Sequence, residues 1–221
     1  MRRRSALALL LPLMTTPANA AGTTRATHPV STAAAAPATL ELRLNELDYD
    51  QPGLDTAEFV EIVNAGSERL RLRRVALVLV NGTTSAEYRR VPLSGRLGPG
   101  RRLVVATSAV SVDDAARVLP LPLARDNIQN GAPDGIALVD LRDDVVLDAL
   151  AYEGSIEHAT IDGLPGTFPL GTGQPVRESD GNEVVGSLCR LPDRADTGDD
   201  DRDWSACDPT PGAVNAAEPL P

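Results

Sequence analysis

"TLELRLNELDYDQPGLDTAEFVEIVN", residues 39–64, sets the fold class. Leu40, Leu42 and Leu44 alternate with Glu41, Arg43 and Asn45, which is the two-residue period of a strand with one buried and one solvated face. A Pro-Gly turn follows, and a second strand-like run begins at Glu58 and ends at Asn64. Similar short runs recur at Leu70–Leu72, Val75–Val80, Glu87–Val91, Leu103–Ala106, Ile136–Leu141 and Val145–Tyr152, separated by Gly, Pro, Asn and Asp. Only VDDAARVL, residues 112–119, reads as helical, and it is too short to form a layer. No period of 20–50 residues marks a repeat array. These features predict one all-β sandwich or barrel of roughly 180 residues, long enough to bury a core.

Outside that region the chain changes character. Met-Arg-Arg-Arg, the apolar run Ala6–Met14 and the small residues Ala18 and Ala20 have the layout of a secretory signal peptide over residues 1–20. Its apolar run is about half the ~20 residues that a spanning helix needs, and no later stretch is apolar enough, so no membrane span is expected. Residues 21–38, rich in Thr, Ala and Pro, read as a flexible linker, residues 39–215 as the domain, and 216–221 as a tail. Removing residues 1–20 would leave 18 basic and 31 acidic residues, a net charge of −13. Such a surface opposes phosphate-backbone binding, so no nucleic-acid partner is expected. Every basic residue is arginine. In an exported chain, the two cysteines Cys189 and Cys207 most simply form one disulfide, closing a loop worth approximately 3 kcal/mol by chain entropy.

LRLNELDYDQPGLDTAEFVEIVNAGSERLRLRRVALVLVNG (42–82), RLGPGRRLVVA, IQNGAPDGIALVD and PTPGAVN together resemble the bacterial lamin-tail domain family in motif content and order. The resemblance covers about residues 40–215. It implies an immunoglobulin-like β-sandwich, used in secreted bacterial proteins as an accessory module that sometimes accompanies extracellular nucleases or phosphatases. Two departures stand out. RRVALVL replaces the Gly-Trp dipeptide usual after the second strand, and the Gly/Pro-rich excursion at 153–186 exceeds a minimal domain. A loop of that length is expected to be functional or mobile.

Two acidic clusters are the candidate metal sites. In the first, Glu46, Asp48, Asp50, Asp55, Glu58 and Glu61 fall within sixteen residues, and calcium takes six to eight such oxygens. The spacing is not that of an EF-hand, and Glu58 and Glu61 should lie on opposite strand faces, so ordinary turn acids are the alternative. In the second, Asp193, Asp196, Asp199, Asp200, Asp201 and Asp203 repel one another unless a cation, the neighbouring Arg190, Arg194 and Arg202, or solvent offsets the charge. Trp204 is expected to pack beneath the disulfide as core. Zinc lacks its usual ligands. His158 has no evident catalytic partner, and nucleophile-elbow and metalloprotease motifs are missing. The arginines of ERLRLRR read as a solvated strand face. The expectation is therefore a secreted, non-enzymatic binding or structural module, calcium being the candidate cofactor, a protein or cell surface the partner, and the monomer the working form. An extracellular hydrolase or nuclease accessory protein with an acidic metal site is the alternative.

Overall fold

A computed structural model describes residues 40–216 except Val184. The signal peptide and linker expected over residues 1–38, and residues 217–221 of the tail, lie outside the described residues. The strands are β1 (Leu42–Asp48), β2 (Phe59–Asn64), β3 (Leu70–Arg71), β4 (Val75–Asn81), β5 (Ala86–Pro92), β6 (Arg96–Leu97), β7 (Arg102–Ala106), β8 (Arg117–Pro120), β9 (Asp134–Asp140), β10 (Val145–Tyr152), β11 (Ser187–Arg190) and β12 (Trp204–Cys207). One helical turn, α1, spans Asp200–Asp203. Six strands form a sheet in the order β12-β11-β1-β2-β7-β8, four form a second in the order β10-β9-β4-β5, and β3 pairs with β6 as a separate ribbon. The all-β sandwich expected from the alternating runs is the fold. Among the described residues no helix is long and apolar enough to cross a membrane.

The main core lies between the sheets. Leu42, Leu44 and Leu47 of β1, Val60 and Ile62 of β2, and Leu103 and Val105 of β7 meet Leu77 and Leu79 of β4 and Ile136 and Leu138 of β9. Tyr49 and Tyr152 stack within it, their ring centroids 4.3 Å apart. The simple alternation of β1 breaks at a register shift between Leu44 and Glu46. This bulge puts Leu47 rather than Glu46 into the core, leaving Asn45 and Glu46 together on the outer face of the six-stranded sheet.

The 153–186 excursion forms a second core. Ile156, Ala159, Ile161, Leu164 and Leu170 pack on Ala76, Val78 and Val80 of β4 and on Ala137 and Val139 of β9. This explains why VALVLVN is apolar at nearly every position, since β4 is covered on both faces. Gly82, just after β4, is fixed by packing, because a Cβ there would meet the Pro133 carbonyl.

Three local expectations change. Residues 117–120, read as the end of a helix, form β8 parallel to β7, and Asp113 begins a turn ahead of it. Pro120 disfavours helical backbone at Leu119, and the branched Val118 fits an extended edge. The Cys189–Cys207 segment, read as a loop, is a hairpin of β11 and β12. Of the excursion, read as functional or mobile, residues 156–170 form a packed cover rather than a mobile loop. Ile161→Ala should therefore cost about 2–5 kcal/mol in urea denaturation, as expected of a large-to-small change in a core. A cost below about 0.5 kcal/mol would mean that the excursion is ordinary surface loop.

Candidate functional site

The acids of the first cluster are used separately. Glu58 is fully buried and accepts the backbone N–H groups of Asn127 at 2.8 Å and Ile128 at 2.6 Å, together with the Asn127 side-chain amide at 2.8 Å. It pins the loop that leads to β9. Asp55 accepts the Gln51 N–H at 3.1 Å, closing the Pro-Gly turn. Asp50 and Asp55 also share Asn130, at 3.3 and 3.4 Å.

Asp48 has the least ordinary environment. Its carboxyl is buried, accepts a hydrogen bond from Gln51, and lies against Asp180, which the sequence reading did not single out. Asp180 in turn accepts the backbone N–H groups of Tyr49 at 3.0 Å and Asp50 at 3.2 Å. Burial, and then the charge of Asp180, pushes Asp48 up to about 8. Burial also pushes Asp180 up to about 6, against the N–H donors that favour its charge.

The second cluster is a set of ion pairs and turns. Asp193 receives two bonds from Arg102, each at 2.6 Å, and Asp196 pairs with Arg43 at 2.9 Å. Asp199 caps the backbone at Gln174 at 3.1 Å, and Asp200 accepts the Thr172 N–H at 2.8 Å. Asp201 pairs with Arg177 at 3.0 Å and Asp203 with Arg190 at 3.4 Å. The aspartates thus tie the hairpin loop to the excursion and to β1. Mutual repulsion is relieved by arginines and backbone donors of this chain. Among the described residues, no group of three or more His, Cys, Asp or Glu side chains is arranged to hold a metal ion.

Cys189 and Cys207 are bonded across β11 and β12, their Cα atoms 6.2 Å apart. Trp204 is core, as expected, and the Arg190 guanidinium lies over its ring, 4.8 Å from the centroid. His158 is exposed.

A polar layer on the outer face of the six-stranded sheet unites the motifs NELD, EFVE and PTPGAVN. Glu46 accepts the Thr210 N–H at 2.7 Å and the Ser187 hydroxyl at 2.7 Å. Glu61 accepts the Gly212 N–H at 2.7 Å, the Asn45 amide at 2.7 Å and the Arg102 guanidinium at 3.0 Å. Asp193 accepts the Asn215 N–H at 3.2 Å, while the Asn215 amide donates to the carbonyls of Asn45 and Arg190 at 2.8 and 3.2 Å. Burial alone would raise Asp193. The bonds from Arg102, Asn45 and Asn215 outweigh it and hold the group below its ordinary range. Sequence reading grouped Glu46 and Glu61 with the other acids and missed Arg102, Ser187, Thr210 and Asn215 as their partners. The signal that could have found them was the repeated order of the motifs, not their spacing.

No protein-family model matches this chain, and no curated protein matches it.

The Asp48–Asp180 pair sets a pH dependence. Both carboxyls hold their protons more tightly in the folded chain than in the unfolded one, so the native state binds more protons between about pH 4 and pH 8. Stability therefore falls as pH rises through that window. Asp48→Asn, which keeps the acceptor toward Gln51 and puts no charge beside Asp180, should flatten this slope and stabilise the protein at pH 8. Urea midpoints between pH 5 and pH 9 check both effects. A destabilised variant with an unchanged slope would reject the raised proton affinity of this pair.

Proposed function

We propose that the chain is a secreted, non-enzymatic β-sandwich module of immunoglobulin-like, lamin-tail type that binds a protein or cell-surface partner. The observation that carries this reading is the meeting of NELD, EFVE and PTPGAVN in one polar layer. Those stretches carry the family resemblance, and a shared structural task accounts for their occurring together. The same observation gives the conspicuous acids a role in holding backbone, so their density needs no chemistry to explain it. Export is supported by the leader-like first twenty residues and agrees with the disulfide.

The alternative, an accessory protein of a hydrolase or nuclease, requires a cation among the acids. Purified full-length protein should leave plasmid and single-stranded DNA intact in calcium, magnesium or manganese. Its melting midpoint should be the same in millimolar calcium and in chelator at constant ionic strength. A site filled at a hundredfold excess over Kd would add about 2.7 kcal/mol, a shift of several degrees. Cleavage that disappears in Asp48→Asn or Asp200→Asn would replace the module reading with the accessory one, whereas a calcium-dependent midpoint without cleavage would mark a calcium-stabilised module.

A further inference from the structure

Ten arginines among the described residues form ion pairs with Asp or Glu. Seven others do not, and four of these, Arg69, Arg96, Arg101 and Arg117, line a single groove of about 490 Å3, while Arg71, Arg73 and Arg89 lie outside it. The four come from separate segments: the turn before β3, β6, the turn before β7, and β8. In a chain with ten more acidic than basic residues, such a concentration of uncompensated positive charge is a local exception.

Two of the guanidiniums are held in place without losing their charge. Arg117 donates to the Ser94 carbonyl at 2.6 Å and to the Ser94 hydroxyl at 3.4 Å. Gly95, at φ +79°, makes this possible, because a Cβ there would collide with the guanidinium. Arg101 donates to the Ala115 carbonyl. Both partners are neutral, so the cationic fork is oriented but not cancelled. Arg102 at the same groove is different, since Glu61 and Asp193 already neutralise it. The acidic group lining the groove is Asp114.

We propose that this groove binds a linear acidic polysaccharide through its repeated carboxylates, a polyphosphorylated chain being the competing outcome of the test. The chemistry follows from the guanidinium, whose planar fork matches carboxylate and phosphate alike and can bond them in pairs. Attachment points on four segments suit an extended ligand. No aromatic side chain lines the groove, so bases would gain no stacking, and a nucleic acid is disfavoured relative to a bare anionic chain. The proposal names the partner class for the binding role given above and rests on it.

The test uses full-length protein and a fluorescein-labelled uronic acid hexamer, read by anisotropy, with tripolyphosphate titrated separately by calorimetry. The hexamer should bind saturably and more tightly than tripolyphosphate. The double variant Arg96→Gln/Arg117→Gln should weaken binding about a hundredfold, taking about tenfold per guanidinium. Asp114→Asn should tighten it, a gain that damaged folding cannot imitate. Arg73→Gln, which alters an exposed arginine that has no ion pair and lies outside the groove, should change little. Absence of hexamer binding would overturn the proposal, as would an equal loss in Arg73→Gln, or tighter binding of tripolyphosphate or duplex DNA. Binding of the producing organism's cell-envelope material that survives Arg96→Gln/Arg117→Gln would refute the groove while leaving the module reading standing.

Discussion

The closing segment PTPGAVN has two prolines and cannot pair as a strand, yet it lies across a sheet face where its backbone donors need partners. Buried carboxylates supply them. Thr210 donates to Glu46, Gly212 to Glu61 and Asn215 to Asp193, while Pro211 lends its carbonyl to the Asp113 N–H. A buried carboxylate costs several kcal/mol if left unpaired, and a buried backbone donor about 1–3. Here each group answers the other. Arg102 and Asn45 complete the layer, so the end of the chain is bound to β1, β2, β7 and the β11–β12 loop at once.

The same device recurs elsewhere. Glu58 receives the loop before β9, Asp180 receives the turn after β1, and Asp200 receives the excursion at Thr172. The chain has short strands and long irregular connections, and carboxylates serve as acceptors wherever a connection has no ladder to join. Its acidity is in this sense architectural. The bulge at Asn45 is what makes the arrangement possible, because it shifts the phase of β1 and turns two consecutive polar residues outward. The disulfide joins the two outermost strands on the β12 side of the six-stranded sheet, where the hydrogen-bond ladder has its end.

Fold class was legible because alternation in β1, β2 and β10 reports a strand directly, whatever lies above it. Strand β8 was not legible, because its Asp-Asp-Ala-Ala approach has local helix preference and only Pro120 and pairing with β7 decide otherwise. β11 and β12 were obscured by charge. Arg190 is buried in β11, stacked on Trp204 and bound to Asp148 and Asp203, a burial that composition argues against and only the tertiary partners permit. At the candidate sites, the acids were visible and their partners were not. Seven of those partners are backbone N–H groups more than twenty residues away, which carry no signature in a sequence. Asp180, which receives the Tyr49 N–H from 131 residues away and lies against Asp48, shows the same limit.

If carboxylates on the outer sheet face hold the closing segment, its amides are the place to measure. Native-state hydrogen exchange of Thr210 and Gly212 should show protection close to that of the central strand β2, and Glu61→Ala should release Gly212 first while β2 remains protected. Exchange of both amides at the rate of an exposed loop in the unaltered protein would contradict the account.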